Sequence, residues 1–157
     1  PYGQTKLMVE NILKDWARDG RSATALRYFN RVVRMFLAVL ARTRDGTGER
    51  DYIHVTDLAK AHIAALGNMS DAAGFAVYNV GTGQGTTVKE LLAAYGETVG
   101  RELPFETVQR RSGDVASSIA SPEKANEALN WSATLSVHDA TSSSWNWQSQ
   151  NPDGYGQ

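Results

Sequence analysis

Cysteine is absent from this chain of 157 residues. Its absence excludes disulfide bonds, thiolate metal sites and a thiol nucleophile. The three histidines, His54, His62 and His138, are scattered without the spacing of metal ligands, so no metal site is predicted. Serine, histidine and aspartate likewise form no recognisable order of a catalytic triad. The chemistry of this chain therefore has to come from other residue types.

An excess of charge of either sign is also lacking. Lysine and arginine total 16 against 17 aspartate and glutamate residues, which leaves a net charge of −1. This balance gives no electrostatic reason to expect a nucleic acid or an anionic membrane as partner. No apolar run approaches the ~18 residues of a membrane span. The length fits one domain or part of a larger one, and the start at Pro1 leads us to expect a segment upstream.

A tyrosine and a lysine stand four residues apart in the first stretch that the pattern predicts to be helical, residues 2–19, which Gly20 is expected to end. Tyr2 and Lys6 would lie one turn apart on the same helix face. The lysine ammonium favours the phenolate form of a neighbouring tyrosine, which can then act as a base. A surface tyrosine beside a solvated lysine is the alternative that this spacing alone leaves open.

Strand-like and helix-like segments alternate through the rest of the chain, which predicts an α/β fold. Strands are predicted at 23–29, 50–55, 75–80 and 104–109, and helices at 56–68 and 88–98. In the first of these helices Thr56 is expected to be the cap, with Leu58, Ala61, Ala65 and Leu66 facing inward. Thr87 and Glu90 form a capping box before the second, and Ser121 is expected to cap a further helix with Pro122 in its first position.

Polar residues at strand ends are candidate ligand contacts, because ligands of parallel α/β sheets bind at the carboxyl ends of strands. Asn30 follows the first strand, and Arg110 with Arg111 follows the last. A guanidinium binds phosphate through two parallel hydrogen bonds, although a solvated charge pair is equally compatible with the sequence. The glycines of 81–85 lack the spacing of a dinucleotide loop, so we interpret them as a tight structural turn.

Six stretches together carry a resemblance to a known family. They are Pro1–Leu7, Leu26–Asn30, Asp45–Ala59, Tyr78–Gly83, Arg110–Asp114 and Trp145–Gln148. The first two resemble the catalytic helix and the following strand of the extended short-chain dehydrogenase/reductase family. The run Asp45–Ala59 and the Trp-x-Trp-Gln motif resemble its UDP-glucose 4-epimerase branch in particular.

The resemblance implies the fold and its division. The chain would be the C-terminal part of an NAD-binding Rossmann-like fold together with the small substrate-binding domain. Residues 1–30 would end the Rossmann-like domain, and residues 31–157 would form the substrate-binding domain with returning elements of the first. The glycine-rich NAD loop of the family would lie upstream, and the segment between Asn30 and Arg44 is shorter than in the family.

The resemblance also implies catalytic and cofactor roles. Tyr2 would take the proton from the sugar 4-hydroxyl, and Lys6 would assist it and hold the nicotinamide ribose. Phe29 would lie against NAD. The implied reaction is NAD-dependent epimerisation of UDP-glucose and UDP-galactose at C4, by a cytoplasmic enzyme of galactose metabolism.

The same resemblance implies the substrate contacts. Asn30 would contact the UDP-sugar, Arg50 and Arg111 would hold the diphosphate, and Asp114 would lie on the uridine side. Ser118 matches the position that limits sugar size, and its small side chain leads us to expect that N-acetylated hexoses fit. The helix that carries Tyr2, with Leu7 and Met8, would form a homodimer interface.

Two other functions remain open from the sequence. A sugar-nucleotide dehydratase or decarboxylase shares the Tyr-x-x-x-Lys pattern, but acidic residues should then precede the tyrosine. The chain by itself could also be a folded module without activity, because it carries no loop to hold NAD. On either reading the isolated chain is expected to be inactive.

Overall fold

Helices and short strands alternate along the chain, as the sequence predicts. The computed structural model describes residues 2–31, 37–69, 74–110 and 113–154, and side chains at 2, 30, 31 and 37–39 lie outside that description. The helices are α1 (Tyr2–Trp16), α2 (Val55–Gly67), α3 (Val88–Val99), α4 (Glu123–Leu129) and α5 (Val137–Gln150), with a 3₁₀ turn at Ala17–Asp19. The strands are β1 (Ser22–Tyr28), β2 (Asn30–Arg31), β3 (Leu37–Val39), β4 (Glu49–Arg50), β5 (Tyr52–Ile53), β6 (Gly74–Val80), β7 (Thr86–Thr87), β8 (Glu106–Val108) and β9 (Ser117–Ser118). Among these residues, no helix combines the length and apolar character needed to cross a membrane.

The longest strand pair is β1 with β6, which run parallel over seven residues from Ser22↔Gly74 to Tyr28↔Val80. The remaining strands pair over two or three residues each: β2 with β5, β3 with β8 and β4 with β9 are parallel, and β4 with β7 is antiparallel. Parallel pairing of β1 and β6 places their carboxyl ends on one side. Phe29 and Gly81 therefore leave the sheet at the same edge.

The core lies between α2, the end of β6 and the segment around α4. Its buried members are Ile53, Leu58, Ala61, Ala65, Val80, Ala125, Leu129 and Trp131. A second cluster joins Tyr52 to Leu91 and Tyr95 of α3. Burial of the Tyr52 ring raises the pKa of its phenol. Tyr52 and Ile53 are adjacent, so one short strand supplies a residue to each cluster.

Local signals at several helix ends are confirmed. Gly20 ends the first helical segment in the left-handed region at φ 77°, and Thr87 with Glu90 forms the expected capping box of α3. The prediction that Thr56 caps α2 was wrong. The N-cap residue is His54, whose Nδ1 accepts a hydrogen bond from the Thr56 N–H at 3.0 Å. The N-cap therefore lies two residues earlier than predicted, with the imidazole in place of the hydroxyl.

Two other local predictions fail. Leu66 is 68% exposed, because the buried face of α2 follows Leu58, Ala61 and Ala65 and a neighbour of Ala65 points about 100° away. Ser121 does not cap α4; Pro122 is the N-cap residue, and the Ser121 hydroxyl instead donates to the Glu123 carboxylate at 2.5 Å. That hydrogen bond lowers the pKa of Glu123.

Candidate functional site

The helix with the tyrosine and lysine is fixed to the strand that follows it. Tyr2 begins α1, and Lys6 lies one turn later on the same face of the helix. The structure describes the backbone of Tyr2 but not its side chain. Glu10 of α1 accepts a hydrogen bond from Nε of Arg27 in β1 at 2.6 Å, with a second contact between the same groups. The Arg27 hydrogen bond lowers the pKa of Glu10. This ion pair holds the helix against β1.

Phe29 and Asn30 follow β1 directly. Phe29 is half-buried, and Asn30 begins β2, where its backbone pairs with Tyr52 of β5. The Asn30 side chain lies outside the description, so only its register is known. That register brings the end of β1 next to the segment that carries Arg50.

A cleft of about 140 Å³ holds Arg50. It is lined by Leu40, Ala41, Gly48, Arg50, Arg110, Asp114 and Val115. The Arg50 guanidinium donates through Nη1 to the carbonyl oxygens of Glu49 at 2.7 Å and Ala116 at 3.3 Å. These bonds use one end of the planar group and fix its direction at the cleft. Two guanidinium groups therefore lie at one cleft, an arrangement suited to a diphosphate.

The second guanidinium of the cleft is Arg110. Its Nε donates to the carbonyl oxygen of Asp114 at 2.8 Å, and its Nη2 contacts the same oxygen. This closes a turn in which Gly113 has φ 88°. Arg111, the predicted diphosphate contact, lies outside the described residues. The structure thus brings together Arg50 and Asp114 at one cleft with Arg110, the first member of the arginine pair that the sequence offered as phosphate contacts.

Ser118 is the last predicted substrate contact. It lies in β9, where it is half-buried and paired with Arg50 of the parallel strand β4. Next to it, the Asp51 N–H donates to the Ser118 carbonyl at 3.1 Å. Ser118 and Arg50 are therefore held at a fixed separation by the backbone.

A buried carboxylate that the sequence analysis did not single out lies directly behind this site. Asp51 has no solvent exposure, and its carboxylate accepts hydrogen bonds from Thr82, Gly83 and Ala120. The available signal was an acidic residue placed beside the apolar Tyr52 and Ile53 within a short strand. Buried carboxylates of this kind are stable only when hydrogen-bonded.

The glycines of 81–85 do not form a cradle for a dinucleotide. A Cβ on Gly81 would lie 2.6 Å from Oδ2 of Asp51, and one on Gly85 would lie 2.7 Å from Cδ of Glu49. Protein atoms therefore fill the space that a phosphate would need, which confirms a structural turn. The resemblance assigns the nicotinamide end of NAD to a phenol, an ammonium and the ring of Phe29, and that assignment stays a prediction.

Two histidines have structural hydrogen bonds. His54 is buried, and its Nε2 lies 2.9 Å from Oγ of Ser143 in α5. Because its Nδ1 accepts from the Thr56 N–H, we assign the proton to Nε2. His62 is exposed, with Nδ1 2.8 Å from the carbonyl oxygen of Leu58. Both contacts tie the imidazole rings to the protein, and the expectation that the histidines bind no metal stays a prediction.

Parallel strands covered by helices, with paired guanidinium groups at a cleft, define an α/β protein with a site suited to a nucleotide diphosphate. A family described as "NAD dependent epimerase/dehydratase family" matches residues 1–81. The chain belongs to this family.

The chain is also similar to individual proteins. It is 41% identical to UDP-glucose 4-epimerase of Dictyostelium discoideum, over 99% of this chain and 55% of that protein. It is 38% identical to that of Bacillus subtilis strain 168, over 99% and 56%. Among solved structures, UDP-glucose 4-epimerase from Bifidobacterium longum in complex with NAD+ and UDP matches with TM-score 0.92 and 35% identity, over 99% of this chain and 56% of that one. The resemblance seen in the sequence is confirmed.

The extent of these matches is partial. The chain spans about half the length of these relatives. The Dictyostelium alignment covers 190 positions against the 157 residues here, which leaves at least 33 positions of the relative without a counterpart. These unmatched positions agree with the prediction that an internal segment of this chain is shorter than in the family. The location of that segment between Asn30 and Arg44 stays a prediction.

Proposed function

We propose that this chain is the substrate-binding part of an NAD-dependent UDP-hexose 4-epimerase. The observation that carries the proposal is the cleft where Arg50, Arg110 and Asp114 meet, in a chain of this family. The similar structure from Bifidobacterium longum is described with NAD+ and UDP, a ligand whose diphosphate two guanidinium groups would suit.

The diphosphate lies at the cleft, between the guanidinium groups. Arg50 binds it with the guanidinium nitrogen atoms that do not contact the backbone. Arg111 supplies a second cation. Asp114 accepts hydrogen bonds from the uridine, and Asn30 contacts the UDP-sugar. Anchoring the nucleotide leaves the hexose free to present either face to the reacting groups.

The chemical step belongs to the start of α1. Tyr2 accepts the proton of the sugar 4-hydroxyl, and Lys6, one turn later, favours the phenolate that accepts it. NAD, when bound, supplies the acceptor and donor of hydride. Phe29 borders the nicotinamide and limits the access of water. Inversion would require hydride to return to the opposite face of the 4-keto carbon, while Tyr2 returns the proton to the 4-oxygen.

Binding and turnover are expected to separate in the isolated chain. The described residues contain a cleft for UDP but no glycine cradle for the dinucleotide phosphates. We therefore propose that this chain alone binds UDP-sugars and does not turn them over. Residues 1–30 act as the end of the NAD-binding domain and residues 31–157 as the substrate domain.

Calorimetric titration of UDP into the purified chain tests the proposal. Wild type should bind, and Arg50→Ala should weaken binding about 10- to 100-fold, because hydrogen bonds to charged groups contribute about 1.5–3 kcal/mol. Arg18→Ala is the matched control, since Arg18 pairs only with Asp15 at the exposed end of α1 among the contacts described. Absence of UDP binding to the folded wild-type chain contradicts the proposal.

Chromatographic separation of UDP-galactose from UDP-glucose, after incubation of UDP-galactose with NAD and the chain, tests the second half of the proposal. No turnover is expected from the chain alone. Epimerisation of UDP-galactose by it would contradict the separation of binding from turnover while supporting the reaction itself. Pairing of two copies through α1, a cytoplasmic location and a role in galactose metabolism are further parts of the proposal.

A further inference from the structure

The carboxylate of Asp51 joins three separate segments of the chain. Oδ1 accepts from the Thr82 N–H at 2.9 Å and from the Thr82 hydroxyl at 2.7 Å. Oδ2 accepts from the N–H groups of Gly83 at 2.9 Å and Ala120 at 3.2 Å. The donors lie in the turn after β6 and in the segment after β9. One side chain thus fastens both segments to the junction of β4 and β5.

The residues on either side of Asp51 reach the proposed substrate contacts through the backbone. Arg50 pairs with Ser118, and Tyr52 pairs with Asn30. The Asp51 N–H itself donates to the Ser118 carbonyl at 3.1 Å. Asp51 therefore lies at the point where the strands that carry three candidate contacts meet, although it is not among the described residues that line the cleft of Arg50.

The space around the carboxylate is closed. Asp51 has no exposed surface, and a Cβ at Gly81 would lie 2.6 Å from its Oδ2 and 2.5 Å from Cβ of Ala120. A buried carboxylate lowers stability unless donors surround it, and an amide in the same place would direct its own N–H groups at other donors. The site therefore requires two acceptor oxygens and cannot relax easily around a substitute.

We infer that Asp51 is a positioning residue for UDP-sugar binding, which holds Arg50, Ser118 and Asn30 in register without contacting the ligand. This inference rests on the proposed function. It predicts that loss of the carboxylate misaligns the guanidinium of Arg50, and misplacement of a binding group by about 1 Å costs affinity on the order of tenfold or more. The effect should exceed anything that lower stability alone produces.

Asp57 provides a matched control. It is another carboxylate without exposure, and it accepts from the N–H groups of Thr134 and Leu135, both at 2.8 Å. It fastens α2 to the segment before α5 and has no described contact with Arg50 or Ser118. Asp51→Asn and Asp57→Asn should both lower the melting temperature, whereas only Asp51→Asn should raise the Kd for UDP.

The measurement is calorimetric titration of UDP at a temperature where wild type and both variants are folded by circular dichroism. We expect Asp51→Asn to raise the Kd about tenfold or more and Asp57→Asn to change it less than about twofold. Thr82→Val removes one hydroxyl donor and keeps the backbone donor, so it should fold and raise the Kd by a smaller factor. Equal Kd values for wild type and the two variants at Asp51 and Thr82 overturn the inference.

Hydrogen exchange separates this inference from the proposed function. The amides of Asp51 and Glu49 donate across to the β9 segment, at 3.1 and 2.9 Å. Their exchange should accelerate in Asp51→Asn and Thr82→Val and stay unchanged in Asp57→Asn. If the wild type binds no UDP, the proposed function fails, and these exchange rates alone decide whether Asp51 holds the strands. Unchanged exchange in both variants then overturns the inference.

Discussion

Arg50 and Ser118 are paired residues of two neighbouring parallel strands, β4 and β9. The guanidinium at the cleft thus has a small, half-buried side chain as its strand neighbour. A serine at this position leaves volume that a large side chain would occupy. The proposed consequence is room for an N-acetyl group on the hexose.

Replacement of Ser118 by tyrosine tests this volume. Ser118→Tyr should weaken binding of UDP-N-acetylglucosamine at least about tenfold and change binding of UDP-glucose much less, because only the larger sugar needs the space. Titration calorimetry with both ligands measures the ratio. Ser117→Tyr is the control, since adjacent strand residues point to opposite faces and Ser117 instead bonds the Glu49 carboxylate at 2.7 Å. An equal loss for both sugars in Ser118→Tyr would argue against the size limit.

Local signals in the sequence were sufficient for much of the fold. The capping box of Thr87 and Glu90, the stop at Gly20 and the strand at 75–80 depend on near neighbours, and each is confirmed. The cap at His54 was missed because it depends also on Ser143, which is 89 residues away and orients the ring. Propensity ranks threonine above histidine at a cap, and tertiary contacts reversed that order.

The residues of the candidate site also divide into those that a local motif predicts and those that depend on contacts far apart in the sequence. The role of Arg50 at a cleft was expected from a motif, whereas the hydrogen bonds of Asp51 reach residues 31 and 69 positions away and could not be deduced from spacing. The arginine pair was recognised, but sequence alone could not show that the Arg110 guanidinium binds the carbonyl oxygen of Asp114.

The stability of the chain should depend on the ionised form of Asp57. Burial raises the pKa of this carboxyl. The N–H groups of Leu135 and Thr134 and the ammonium of Lys60 lower it by more than burial raises it, so the net pKa is below its ordinary value. A lowered folded-state pKa stabilises the fold above the unfolded-state pKa of about 3.9 and loses that contribution as the pH falls through the folded-state value. Below about pH 4 the free energy of unfolding should therefore decrease.

Urea unfolding of wild type and Asp57→Asn across pH 2.5–7 measures this contribution. At pH 7 the variant should be less stable by about 2 kcal/mol, through loss of an acceptor for buried donors. The difference should shrink below about pH 4, where the wild-type carboxyl becomes protonated. A difference that stays constant over the whole range would show that ionisation of Asp57 does not contribute.

Gly81 should tolerate no side chain. Alanine there would place a Cβ 2.5 Å from Cβ of Ala120, a distance that requires the buried turn to shift. Gly81→Ala should lower the free energy of unfolding by about 1–3 kcal/mol, as overpacking in closed sites does. Gly67→Ala, at the end of α2 with no atom within 4 Å of the new Cβ, should be neutral or slightly stabilising. Thermal unfolding of both variants compares them, and equal melting temperatures would contradict the fit around Asp51.

The outer face of α1 carries an apolar stripe whose members are largely exposed in the single chain. Met8, Ile12 and Trp16 recur at intervals of four residues and are 61%, 65% and 46% exposed. Such a stripe at helical spacing is typical of a helix that packs against another surface. We expect a second copy of the chain to cover it.

Ile12→Glu should dissociate that dimer, because it places a charge at the centre of the apolar stripe. Sedimentation velocity measures the mass, and the melting temperature of the monomer should be nearly unchanged because Ile12 makes few intramolecular contacts when so exposed. Lys14→Glu alters charge on the same helix outside the stripe and should leave the dimer intact. A wild-type chain that sediments as a monomer at micromolar concentration would contradict pairing through α1 in this chain.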